Sequence, residues 1–187
     1  MKNGGDRLKI ILIAGKARAG KDAAAKIIQE NLLNDGKKVL IIHYADLLKY
    51  LCSSYFNWDG NKDEVGRTLL QRVGTDVVRT QQPDYWVDFV IGFLSLFKNE
   101  WDYVIIPDCR FPNELEKWDR SNWDNITVKI NRTDFETPLT PEQQSHPSEV
   151  ALDSYDNYDY VINSENGLDK LDKTVNEFIL FLKESKT

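Results

Sequence analysis

Residues 13–26 read IAGKARAGKDAAAK: two glycines separated by four residues, then a lysine. The stretch follows a dense apolar run at residues 8–14 and opens a segment in which Ala25, Ile28, Leu32 and Leu33 recur at helical spacing. A buried strand, a glycine-rich turn and a helix in that order suit one task. Glycines let the backbone curl so that its N–H groups point inward at an anion. The helix N-terminus adds the positive end of its dipole, and Lys21 neutralises charge between terminal phosphates. Gly15 to Lys21 therefore matches the G-x-x-x-x-G-K half of a phosphate-binding loop. The bland alternative, a glycine-rich turn with a helix-starting lysine, explains neither the strand before it nor the helix after it. Where the pattern carries Ser or Thr, this chain has Asp22. An acid in a first helical turn is favoured by the dipole, and a carboxylate is also a hard oxygen ligand suited to magnesium, directly or through water. A carboxylate beside phosphates calls for extra cations, and Arg18 inside the loop is one.

The rest of the chain alternates. Residues 39–43, 103–107, 126–130 and 160–163 are further short apolar runs, and residues 45–51, 67–79, 86–97 and 168–182 read as helices. Residues 57–62 form a polar loop, and residues 132–149, with three prolines and few apolar residues, form a long excursion. Strands alternating with helices predict a three-layer α/β fold whose parallel sheet is covered on both faces. A length of 187 residues supports one full-sized core. The net charge of −6 argues against broad nucleic-acid or membrane-surface binding, so an anionic ligand must be held by locally placed cations. Cys52 and Cys109 make no disulfide framework and suggest a reducing compartment. The first residues lack an apolar signal region, and the longest apolar run there, residues 10–14, is too short to span a bilayer. A soluble, cytoplasmic protein is expected.

A second motif, VIIPDCRFPNELE at residues 104–116, places Asp108 just past the end of a strand. In open α/β sheets ligands bind at that edge. Asp108 is positioned to hold magnesium or its waters, and Arg110 to hold a second anion; a helix-capping acid and a surface arginine are the alternatives. Arg67 and Arg79 share nearly one helical phase but stand about 18 Å apart along an axis, so Arg79, beside the turn at Pro83, is the better site candidate and Arg72 a surface residue. Arg132 leads the long excursion, which can close over phosphates and exclude water. His43 and His146 lie in no metal-ligand spacing and read as structural. Tyr85 and Trp86 read as core or as a platform for a base. Several arginines and no outstanding base fit an acceptor that is itself a phosphate, which is mostly deprotonated at neutral pH.

The loop Gly15-Lys16-Ala17-Arg18-Ala19-Gly20-Lys21-Asp22 resembles that of phage-type deoxynucleoside monophosphate kinases. So do YADLLK at residues 44–49, residues 71–79 followed by Trp86, DCRFPNE at residues 108–114, SHPSE at residues 145–149 and YDYVIN at residues 158–163. The resemblance implies an adenylate-kinase-like P-loop fold with a five-stranded parallel sheet, in a single domain over residues 1–187. It implies transfer of the ATP γ-phosphoryl group to a deoxynucleoside monophosphate, with magnesium. The loop residues from Gly15 to Asp22, with Ala23, Arg132 and Asn163, would bind ATP. Asp46, Lys49, Arg79, Trp86 and Arg110 would bind the acceptor. Lys21, Asp108, Arg110 and Arg132 would serve catalysis, and Asp22 and Asp108 the metal. The acceptor-closing insertion would lie near residues 45–100 and the lid near residues 132–150. That lid has few cations beyond Arg132, unlike arginine-rich adenylate kinase lids. The loop ending in Lys-Asp also resembles that of animal phosphomevalonate kinases, so a small non-nucleotide phosphate is an alternative acceptor; a nucleotide-binding ATPase without kinase activity is a third reading. A homodimer stays open.

Overall fold

The apolar run before the phosphate loop forms β1, Lys9–Ala14, and all six of its residues are buried. Its period of two sends Ile11 and Ile13 into one apolar layer and Ile10, Leu12 and Ala14 into the other. A strand apolar on both faces is satisfied only at the middle of a sheet covered on both sides. The computed structural model, which describes residues 7–119, 121–133, 139–165 and 167–184, puts it there. With β2 (Val39–Ile41), β3 (Tyr103–Cys109), β4 (Asp124–Arg132) and β5 (Tyr160–Ser164) it forms a five-stranded sheet of order β2-β3-β1-β4-β5. Every pairing is parallel.

The helices are α1 (Lys21–Asn34), α2 (Ala45–Tyr55), α3 (Glu64–Gln71), α4 (Tyr85–Phe97), α5 (Pro112–Glu116), α6 (Pro141–Ser145), α7 (Pro147–Val150) and α8 (Leu168–Glu184). On one face, Ala25, Ile28 and Leu32 of α1 meet Val175, Phe178 and Leu182 of α8 over Ile11 and Ile13. On the other, Leu48 and Cys52 of α2 and Val87, Val90 and Leu94 of α4 cover Leu12, Val104 and Ile106. Among the described residues no helix is long and apolar enough to cross a membrane.

Two sequence expectations change. The helix expected at residues 67–79 begins earlier, at Glu64, where the Asp63 side chain caps it by accepting Gly66 N–H at 2.8 Å. From Arg72 to Arg79 it winds as a π-helix. Val73, Thr75, Val77 and Val78 are β-branched and Gly74 is flexible, so the α-preference there is weak. The wider turn is coupled to a tertiary bond, in which Trp86 Nε1 donates to the Gly74 carbonyl at 3.0 Å. The long excursion, in turn, contains α6 and α7. Pro141 and Pro147 sit at first helical positions, where their missing N–H costs nothing, and Thr140 and His146 cap the two helices. Residues 134–138 of the expected lid lie outside the described residues.

The turn out of β1 requires glycine at one point. Gly15 has φ 153°, and a Cβ there would come within 2.6 Å of the Ile130 carbonyl oxygen on β4. Gly15→Ala should therefore destabilise the fold by about 1–3 kcal/mol. Urea unfolding should show a lower midpoint at unchanged slope.

Candidate active site

The carboxyl ends of β1, β2 and β3 open on a cavity of about 420 Å³, in the range of small-molecule sites. Ala17, Arg18, Lys21 and Asp22 line it from the phosphate loop, Lys49 from α2, Arg79 and Trp86 from beyond α3, and Asp108 and Arg110 from the end of β3. A second cavity, about 600 Å³, lies on the other side of the loop and meets Gly15, Lys16, Ala19, Arg132 and Asn163, together with Ala17 and Arg110. The expected residues thus divide between two spaces that share the loop and Arg110. Gly20, Ala23 and Asp46 line neither. Gly20 is the left-handed residue before α1, Ala23 packs half-buried on the core, and Asp46 accepts from His43 N and Lys49 Nζ.

Lys21 is buried and wound into its own loop, donating to the Gly15 carbonyl at 2.8 Å and the Lys16 carbonyl at 2.9 Å. Burial, and then the nearby Arg110 guanidinium, bring its ammonium down to about 7. The Glu149 carboxylate sits against both: it accepts Arg110 Nη1 at 2.8 Å and Ala17 N–H at 3.3 Å. A loop amide and an arginine therefore converge on one anionic oxygen. Lys16 reaches the same segment, donating to the Glu149 carbonyl at 2.7 Å and pairing with Asp153. Arg132 Nη1 donates to the Arg18 carbonyl at 3.1 Å, and Asn131 Nδ2 to Asn163 Oδ1 at 3.2 Å.

Asp108 fastens the far wall. Its two oxygens accept Tyr44 N–H and Ala45 N–H, each at 3.0 Å, which ties the start of α2 to the end of β3. Asp22 leans on His43, whose Nε2 lies 3.1 Å from Asp22 Oδ1. The hydrogen bond to Asp22, then that to Asp46, raises His43 to about 9. The same bond lowers Asp22. For Asp46, the His43 and Lys49 hydrogen bonds outweigh desolvation and bring the carboxyl down.

Arg79 is held by its surroundings. It pairs with buried Glu114, donates to the Pro83 carbonyl at 3.0 Å and stacks 4.1 Å from the centre of the Phe111 ring. Burial pushes the Glu114 carboxyl up to about 7, against the pull of Arg79 and of the Arg110 amide. Glu114 also accepts Arg110 N–H and Phe111 N–H, so the pair shapes the backbone that carries Arg110. His43, Glu114 and Glu149 were not among the expected site residues. The strand-edge rule that picked out Asp108 applies equally to His43, after β2. The two glutamates end the segments DCRFPNE and SHPSE that carry the family resemblance, but no spacing marks their approach to Arg79 and Arg110.

A parallel sheet with a phosphate loop between its central strand and first helix, facing an acid and an arginine at the end of the neighbouring strand, defines a P-loop kinase. The solved structures that this one resembles fit that class. They include a shikimate kinase from Bacteroides thetaiotaomicron (18% identical, TM-score 0.53, 93% of this chain and 98% of that one). A dephospho-CoA kinase from Campylobacter jejuni is 10% identical with a TM-score of 0.53, covering 92% and 96%. An APS kinase from Mycobacterium tuberculosis is 16% identical with a TM-score of 0.51, covering 96% and 99%. At such identities the likeness is one of fold. The phosphomevalonate kinase of Drosophila melanogaster is 24% identical over 180 residues, 87% of this chain and 92% of that protein. The sequence profile of the deoxynucleotide monophosphate kinase family matches residues 35–175, and the chain belongs to that family. It is an ATP-dependent phosphotransferase acting on a nucleoside monophosphate.

Removing the Arg79 guanidinium would strand Glu114 in the core. Arg79→Ala should cost about 3–5 kcal/mol of stability above about pH 8, where Glu114 is charged, and less below about pH 6, where it takes up a proton, read as a fall in the urea midpoint; a loss that does not grow with pH would contradict the buried pair.

Proposed function

We propose that the phosphate loop holds the triphosphate of ATP while Arg110 grips the phosphate of a deoxynucleoside monophosphate across the same cavity. The observation that carries this reading is the position of the Glu149 carboxylate, bonded at once to the Ala17 amide and to Arg110. Two anion-binding groups of different elements meet at one oxygen. In the reaction a phosphate oxygen takes that place and Glu149 moves off. Phosphate oxygens likewise replace the Gly15 and Lys16 carbonyls as partners of Lys21. The acceptor phosphate is mostly deprotonated at neutral pH. Its oxygen attacks the γ-phosphorus in line, the bond to the β–γ bridging oxygen breaks, and ADP leaves with that electron pair. No general base is required. Lys21, Arg110 and Arg132 supply positive charge where the transition state spreads negative charge.

The donor set near the loop fits magnesium carried on the phosphates. Asp22 is largely exposed, and the Asp108 oxygens retain lone pairs beyond the two N–H groups they accept. Both are hard oxygen donors. Among the described residues no three metal-ligating side chains are grouped to hold an ion alone, which suits a cation that arrives on its substrate. Asp22 and Asp108 would hold it, directly or through water, and it would neutralise charge on the phosphates. Lys49, with Asp46 behind it, and the Trp86 wall belong to the acceptor side. Arg132 and Asn163 flank the second cavity, which we assign to the adenosine side, beneath a lid within residues 132–150. The insertion at residues 45–100 closes on the acceptor. The free thiols Cys52 and Cys109 suit a reducing cytoplasm.

Phosphomevalonate, from the name of the Drosophila relative, is the control acceptor. A coupled ADP-release assay with ribo- and deoxynucleoside monophosphates and phosphomevalonate tests the reading. ADP release should depend on a deoxynucleoside monophosphate. Lys21→Ala should lower kcat by about 10³-fold in a folded protein, and Arg110→Ala should raise the acceptor KM far more than that of ATP. Release that needs no acceptor, or an equal rise in both KM values, contradicts the reading.

A further inference from the structure

The acceptor cavity is chemically mixed. Lys21 and Arg110 line it at the phosphate loop and the end of β3, and Leu48, Leu70 and Trp86 give it an apolar wall, with Lys49, Lys62 and Arg67 also on its lining. Gly74 marks the apolar wall. A Cβ on Gly74 would come within 2.6 Å of Leu48 Cδ2, and its carbonyl accepts Trp86 Nε1 at 3.0 Å. Gln71 stands about one turn before Gly74, at the end of α3, is half-buried, and lines the same cavity, as does Thr75 four residues on. No described residue hydrogen-bonds the Gln71 side-chain amide. The amides of Asn113, Asn125, Gln143 and Gln144 are all engaged within the protein. The Gln71 amide, by contrast, keeps its donor and its acceptor available to a ligand that offers an acceptor and a donor side by side.

We infer that Gln71 is a specificity-determining residue that reads the edge of the acceptor's nucleobase, with the base lying against Leu48, Leu70 and Trp86; this rests on reading the cavity as the acceptor site. Gln71 and Arg110 line one cavity of about 420 Å³, so one nucleotide can extend from the arginine to the amide. The amide pairs with an adjacent donor and acceptor, such as N3–H and O4 of thymine, N1–H and O6 of guanine, or N6–H and N7 of adenine. A carboxylate in its place only accepts. Guanine alone among the four bases presents two adjacent donors, N1–H and N2–H.

The test is steady-state kinetics with dAMP, dGMP, dCMP and dTMP on the wild type, Gln71→Met and Gln71→Glu. The isosteric methionine should raise the KM of every accepted deoxynucleotide by about tenfold or more, with kcat within about twofold and the ATP KM unchanged. Gln71→Glu should shift kcat/KM toward dGMP, relative to the other bases, by about tenfold or more. A carboxylate that changes all four KM values by one common factor, or a methionine that leaves them within twofold, overturns the assignment while leaving the acceptor reading intact. If the wild type phosphorylates no deoxynucleotide, the acceptor reading fails and this assignment with it.

Discussion

The phosphate loop is wound around its own lysine. Lys21 is buried and divides its hydrogen bonds between the Gly15 and Lys16 carbonyls, and Gly15 lies so close to the Ile130 carbonyl that no side chain fits. β1 is held between β3 and β4, so the start of the loop is fixed. An ammonium kept from water is unfavourable unless oxygens surround it; the loop carbonyls meet that need. The sheet, through the depth of its central strand, thereby sets the position of the Lys21 ammonium.

Charges around that point are arranged in layers. Glu114 and Arg79 form a buried pair of doubtful net stabilisation, yet Glu114 spends its remaining acceptor capacity on the amides of Arg110 and Phe111. The pair therefore shapes the segment from which Arg110 reaches the cavity. Asp108, two residues before Arg110, pins Tyr44 and Ala45 at the start of α2. The end of β3 thus fixes both the arginine that faces the loop and the helix that walls the same cavity. Glu149, on α7, closes the circuit by bonding Arg110 and Ala17 together.

What the sequence reveals follows from how local each signal is. The phosphate loop is one contiguous pattern, and β1 and β3 advertise their central places by being apolar on both faces. The π-helix was not legible, because its β-branched residues weaken an α-helix without saying what replaces it; the deciding contact comes from Trp86, twelve residues beyond Gly74. Arg79 was expected at the acceptor, and its partner Glu114, thirty-five residues away, is an acid on a short helix whose burial no spacing announces. His43 was read as structural for want of a metal spacing. Its contact with Asp22 arises because β2 and the first turn of α1 end at the same edge of the sheet.

The most direct test of one cavity shared by two phosphates is a single ligand that spans both sites: adenosine joined through five phosphates to whichever deoxynucleoside the enzyme phosphorylates. Calorimetric titration should give one molecule bound per chain, and binding should be blocked both by saturating ATP and by the saturating deoxynucleoside monophosphate. A ligand that competes with ATP but binds equally well with the acceptor present would contradict the shared cleft.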